Sequence, residues 1–196
     1  MFDMQQIEIK RKFFDVLEQI GTRSYKVQRK NDVYFLKNYG DDKAGFDKFV
    51  ENQQTLKYTA VKTPKVYVYD KNQRIVVMEY IEGDTLDQYI SVADLTDSMY
   101  QKLFQTYYFA KMDKLYLDYK PENFKYSNDK LYYLKFDYKK FENNNKFIQQ
   151  DIRLWFGTEE QERYVLSRGF DFDHKRVKNE YEANKFMALV TIKYFK

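Results

Sequence analysis

Pro64 and Pro121 are the only prolines in this chain of 196 residues, and glycine occurs six times. A chain with so little punctuation marks its turns by breaks in apolar periodicity, which restricts how its segments can be read. From Ser24 to Lys30 and from Val33 to Lys37 short alternating runs flank Asn31-Asp32, the pattern of a hairpin. Over residues 44–58 the spacing of Phe46, Phe49, Val50 and Leu56 predicts a helix that ends before Thr63-Pro64. Lys65 to Tyr69 and Arg74 to Tyr80 surround Asp70-Lys71-Asn72 and predict a second hairpin. Ahead of these, Ile7, Ile9, Phe13, Phe14, Val16, Leu17 and Ile20 mix two periodicities and predict a helix leading into a first strand.

Glu82-Gly83-Asp84 breaks the pattern, and the chain then reads helical from Thr85 to Leu115, with Leu86, Ile90, Met99, Leu103, Phe104 and Tyr107 on apolar stripes. Strands follow from Asn123 to Tyr126 and from Leu131 to Phe136, joined by Ser127-Asn128-Asp129. After the asparagine-rich loop Asn143-Asn144-Asn145, helices are expected over 147–196. The fold class is therefore α+β, with a β-rich part over 1–81 and a helix-rich part over 82–196.

A hydrophobic content of 43% supports a real core, in one domain or in two small lobes sharing a cleft. With no cysteine and a single histidine, His174, the chain offers neither disulfides nor a zinc site. The first residues lack an apolar signal core and no run of about 18 apolar residues occurs, so a cytoplasmic protein without a membrane span is the expectation. The net charge of +4 comes from 34 basic and 30 acidic residues mixed along the chain, which argues for a solvated surface rather than nucleic-acid binding. Arg163, Arg168, Lys175, Arg176 and Lys178 form the one candidate basic patch, read as a solvated helix face. The 20 tyrosines, Trp155 and His174 are assigned to packing or surface.

The chemistry concentrates in Asp118-Tyr119-Lys120-Pro121-Glu122-Asn123 and in Phe136-Asp137-Tyr138-Lys139. Phosphoryl transfer needs an Asp beside the acceptor hydroxyl, a Lys for phosphate charge, and an Asn and a second Asp for magnesium. Asp, Lys, Pro and Asn also favour plain surface turns. A second Asp delivered at the end of the next strand–turn–strand unit weighs against that simpler reading.

This motif, together with the order hairpin, helix, hairpin, connector, long helix, loop, hairpin and helices, resembles the bilobal protein-kinase-like fold, with a β-rich N-lobe and a reduced helical C-lobe. The resemblance implies that Asp118 is the catalytic base, Lys120 a γ-phosphate contact, and Asn123 and Asp137 magnesium ligands. Lys37, ending Val33-Tyr34-Phe35-Leu36-Lys37, looks like the lysine that contacts the α- and β-phosphates. Its carboxylate partner is expected on the helix as Glu51, with Asp47 as the rival. Gly21, with Ser24 and Thr22, would cradle phosphate through a loop holding one glycine where protein kinases usually hold three. Met78, Glu79 and Ile81 resemble the hinge that meets adenine.

Three departures stand out. Tyr116-Leu117 replaces the usual His-Arg, so the loop must be braced by packing. Lys139 replaces the glycine after the metal-binding Asp. The segment between Asp137 and Asp151 is short and no Ala-Pro-Glu follows. Asp151 itself resembles the buried Asp that braces the catalytic loop in kinases. These features are similar to compact atypical kinases, the RIO kinases and the small kinase subunit of the KEOPS complex. The implied function is an ATP- and magnesium-dependent serine/threonine protein kinase with a protein substrate and a regulatory protein partner. A small-molecule kinase, an ATPase switch and an inactive nucleotide-binding scaffold stay open.

Overall fold

A computed structural model describes residues 6–142 and 146–194, so the expected loop at Asn143 to Asn145 lies outside the described residues. The chain divides into two compact units, one of residues 1–54 with 64–82 and one of residues 55–63 with 83–196.

The first unit is a six-stranded antiparallel sheet with one helix. Its strands are β1 (Gln6–Ile9), β2 (Lys12–Gly21), β3 (Ser24–Arg29), β4 (Asp32–Asn38), β5 (Val66–Asp70) and β6 (Ile75–Glu79), in the order β1-β2-β3-β4-β6-β5. Helix α1 (Lys43–Leu56) runs between β4 and β5. Both expected hairpins and this helix form where the periodicity placed them.

The expected helix at the start does not form. Ile7 pairs with Phe14 and Ile9 with Lys12 in a hairpin whose turn residues, Lys10 and Arg11, take φ of 47° and 62°. The reason is two-residue alternation: Ile7, Ile9, Phe14 and Val16 share one sheet face and join Val27, Leu36, Ile75 and Val77 in one core cluster. Two short alternating runs across a tight turn imitate helical spacing when read as one segment. Full burial of Val27, Leu36 and Val77 contributes about 1.5–3 kcal/mol each.

On the opposite pleat, register sets Phe35 against Met78 and Lys37 against Val76. Asp42 caps α1, its Oδ1 accepting from the Gly45 N–H at 2.8 Å. Tyr39 and Tyr69 meet Phe46 of the helix edge-on, with centroids 5.7 and 6.4 Å apart.

The second unit contains α2 (Leu86–Val92), α3 (Asp97–Met112), β7 (Leu115–Leu117), β8 (Phe124–Ser127), β9 (Lys130–Tyr133), β10 (Tyr138–Lys140), α4 (Lys146–Gln149), α5 (Glu159–Ser167) and α6 (Glu180–Tyr194). The stretch expected as helical over 85–115 is two helices, because Thr96 caps the second by accepting from the Met99 N–H. Short 3-10 turns lie at Pro121–Asn123, Asp151–Trp155 and His174–Arg176, so the last fifty residues are less uniformly helical than expected. β8 pairs with β9, and β10 pairs with β7. The strand β10 was not foreseen, since Lys139 and Lys140 carry no apolar signal and owe their conformation to β7.

Tyrosine builds this core. Tyr107 stacks on Phe147 with centroids 4.2 Å apart, Tyr119 on Phe124 at 6.1 Å, and Trp155 meets Phe124 edge-on at 5.5 Å. Of these rings only Phe124 and Phe147 lack a polar group, and none is appreciably exposed.

Candidate active site

Asp118 leaves β7, and the 3-10 turn at Pro121–Asn123 curls the chain back so that Asn123 faces it. The Asn123 Nδ2 donates to the Asp118 carbonyl at 3.1 Å, and the Asn123 N–H donates to the Lys120 carbonyl at 3.0 Å. This fixes the amide orientation and leaves Oδ1 as the oxygen that Asn123 could offer to a cation.

The β8–β9 hairpin brings Asp137 to the same place. Register puts Tyr133 opposite Phe124, and the Tyr133 hydroxyl then spans two motifs. It accepts from the Asp118 N–H at 3.3 Å and donates to the Asp137 carbonyl at 2.5 Å. Burial pushes this phenol well above its ordinary range, so it stays protonated and donates. Phe136, with φ of 53°, makes the sharp turn into Asp137, while Lys139 lies in extended β10. The left-handed residue thus precedes the Asp, and Lys139 has ordinary strand backbone. A buried aromatic held in that region costs about 1–2 kcal/mol. The Asp137 Oδ1 accepts from the Tyr138 N–H at 3.0 Å, and the Tyr138 hydroxyl bonds Thr55 at 3.1 Å.

Lys135 was missed by the sequence reading. Its Nζ lies 2.6 Å from Asp118 Oδ2, and this bond holds the ammonium above the usual lysine range. Lys120 and Lys135 are both exposed. Nothing in the alternation of β9 marks Lys135; only its place two residues before Asp137 does.

The loop is braced by hydrogen bonds as well as by packing. The Tyr116 hydroxyl donates to Asp151 Oδ2, in the position where a His-Arg pair was looked for. Burial raises the Asp151 carboxyl, and the Tyr116 bond opposes that rise. Trp155 Nε1 donates to the Tyr119 carbonyl at 2.9 Å, which gives the tryptophan a place behind the loop. Beyond the loop, the Glu122 N–H donates to the Tyr164 hydroxyl at 3.2 Å, and Arg168 reaches Glu122 at 2.8 Å and buried Asp87 at 3.2 Å. Arg176 pairs with Asp94, and Lys178 lies over Phe186. Three members of the basic patch are therefore engaged within the fold.

In the first unit, burial lowers Lys37, and the carboxylate whose field acts against that shift is Asp42. The Lys37 Nζ also sits 4.7 Å over the Tyr39 ring. Glu51 and Asp47 occupy exposed positions on α1. Asp42, at the cap of α1, was not considered by the sequence reading. Gly21 pairs with Ser24 across the two-residue turn Thr22-Arg23, with an ordinary backbone at Gly21. Met78 and Ile81 are buried, and the Glu79 N–H and carboxylate both meet the backbone of Lys65.

A cavity of about 260 Å3 opens in the second unit, lined by Tyr116, Asp118, Lys135, Asp137, Lys146 and Asp151 among others. Its oxygen donors are hard, and among the described residues no three His, Cys, Asp or Glu gather around a metal position. An Asn oxygen and one carboxylate fit magnesium, which keeps water and takes phosphate oxygens for its remaining ligands. Among the described residues no helix is long and apolar enough to cross a membrane.

No family model matches the sequence, and no curated protein is similar to it. Solved structures do share the fold. One is WbdD, in a co-crystal with the kinase inhibitor LY294002, at a TM-score of 0.59 and 11% identity over 76% of this chain. The match spans 38% of that chain, which is about twice as long as this one. The likeness carries the fold and supports the kinase-like expectation at that level.

Proposed function

We propose that this chain is an ATP- and magnesium-dependent phosphotransferase, and that it moves the γ-phosphate to the hydroxyl of a Ser or Thr in a protein. One observation carries the reading: the Tyr133 hydroxyl and the Asn123 amide tie Asp118, Asn123 and Asp137 into one hydrogen-bonded unit. Asn123 and Asp137 are the residues to hold magnesium, which when bound neutralises phosphate charge and polarises the transferring group. Asp118 orients the acceptor hydroxyl and receives its proton. Lys37, exposed near the end of β4 with its ammonium over the Tyr39 ring and in the field of Asp42, is suited to meet phosphate oxygens as a cation. The Tyr116–Asp151 and Trp155–Tyr119 bonds keep the loop in one conformation, so little reorganisation is left for the reaction itself.

A second reading has its own support. The cavity beside Asp118 is small and bordered by Lys135, Lys139 and Lys146, dimensions and charge that suit a small acceptor. Incubation with γ-labelled ATP and magnesium, with a generic basic protein in one arm and small hydroxylated acids in another, separates the two. Label on protein supports the first, label on the small acceptor the second, and label in neither rejects phosphotransfer to these classes.

A further inference from the structure

We infer that Lys135, rather than Lys120, is the cation of the reacting centre: it holds the carboxylate of Asp118 and faces the phosphoryl group in flight. This rests on the phosphotransferase reading above and names a residue that the motif alone does not.

The geometry separates the two lysines. Lys135 Nζ lies 2.6 Å from Asp118 Oδ2, and both line the cavity that also contains Asp137. Both lysines are exposed, but the cavity's lining passes from Tyr119 to Lys135 without Lys120. The backbone around Lys135 is fixed on both sides, because the Leu134 N–H donates to the Asn123 carbonyl at 2.8 Å and the Tyr133 hydroxyl holds the Asp137 carbonyl. An ammonium has three N–H donors. One is spent on Asp118, which leaves the others to meet an oxygen of the transferring group.

In the step itself the acceptor O–H bond breaks and its proton passes to Asp118. The acceptor oxygen forms a bond to the γ-phosphorus, and the bond from that phosphorus to the bridging oxygen breaks, its electron pair leaving on ADP. The oxygens of the phosphoryl group in flight carry negative charge while Asp118 is neutralised by the proton, and Lys135 is the side chain already placed to meet that charge. Arginine at 135 keeps the charge and the reach, whereas methionine keeps the length and removes the charge.

The test compares wild type, Lys135→Met, Lys135→Arg and Lys120→Met by calorimetric binding of Mg-ADP with and without aluminium fluoride, a mimic of the phosphoryl group in flight. Aluminium fluoride should tighten ADP binding to wild type. Lys135→Met should lose about tenfold or more of that gain, Lys135→Arg should recover most of it, and Lys120→Met should stay within about threefold. ADP affinity alone should be unchanged in all four, which also reports that each variant is folded. Loss of the gain in Lys120→Met with retention in Lys135→Met overturns the inference, as does equal loss in both or no gain in wild type. Label transfer from γ-labelled ATP, run in parallel, reports separately on the reaction. Binding that follows the predicted order without any transfer would retire the phosphotransferase reading and leave the role of Lys135 in meeting phosphoryl charge standing.

Discussion

Tyr116→Phe removes one hydroxyl and leaves the ring. The edge-on contact with Tyr119, at 5.5 Å, and the tilted contact with Phe141, at 6.3 Å, survive the change. What is lost is the donor to Asp151, a carboxylate whose burial already raises its pKa. A hydrogen bond to a charged group is worth about 1.5–3 kcal/mol. For a chain of this size 1 kcal/mol moves the midpoint by about 2–4 °C, so a loss near 2 kcal/mol lowers Tm by about 4–8 °C at neutral pH. The gap should also depend on pH. Because the folded pKa of Asp151 lies above its ordinary 3.8, its contribution to stability is fully present below that value and is lost as pH rises through the folded pKa. Without Tyr116 the folded pKa rises further, so the variant loses more on the way to neutrality. Thermal denaturation followed by circular dichroism from pH 3.5 to 8 should show a gap that is small in acid and full at neutral pH. A Tm within about 1 °C of wild type at pH 7, or a gap of constant size, refutes the reasoning.

Other outcomes follow from the same contacts. Trp155→Phe should cost about 1–3 kcal/mol in chemical denaturation, since it leaves the Tyr119 carbonyl without its buried donor; a smaller change would mean that the bond contributes little. Lys37 should react with an amine reagent at lower pH than the bulk of the lysines, and Asp42→Asn should increase that reactivity, as read by peptide mass spectrometry. His174 Nδ1 donates to the Glu162 carboxylate at 2.8 Å, so its imidazole should titrate by NMR above the ordinary 6.5 and return toward it in Glu162→Gln. Replacing Lys10-Arg11 by Asn-Gly should stabilise the first unit by about 1 kcal/mol, because both positions have positive φ; unchanged stability would show that the turn carries no strain.

Much of this architecture is written in local pattern. β3 to β6 and α1 sit where alternation and helical spacing put them, because each buries one face against a partner close in sequence. The β1–β2 hairpin escaped notice because β1 is short and its turn residues, Lys10 and Arg11, are not turn formers. The loop residues Asp118, Asn123 and Asp137 were legible as residue types at a spacing, and the structure ties them together through Tyr133, which no spacing marks. Side chains that act across the fold were the hidden part. Asp42 acts on Lys37 from a helix cap, Tyr116 meets Asp151 across 35 residues, and Lys135 meets Asp118 across 17. Sequence spacing indicates which elements form, and pairing between elements decides which charges meet.

The most direct test of the phosphotransferase account compares wild type with Asp118→Ala and Asp137→Ala, measuring label transfer from γ-labelled ATP beside calorimetric ADP binding. The account predicts transfer by wild type alone, with Asp118→Ala still binding magnesium-bound ADP and Asp137→Ala losing the effect of magnesium on that binding. Transfer that persists in Asp118→Ala, or ADP binding indifferent to magnesium in the wild type, would contradict it.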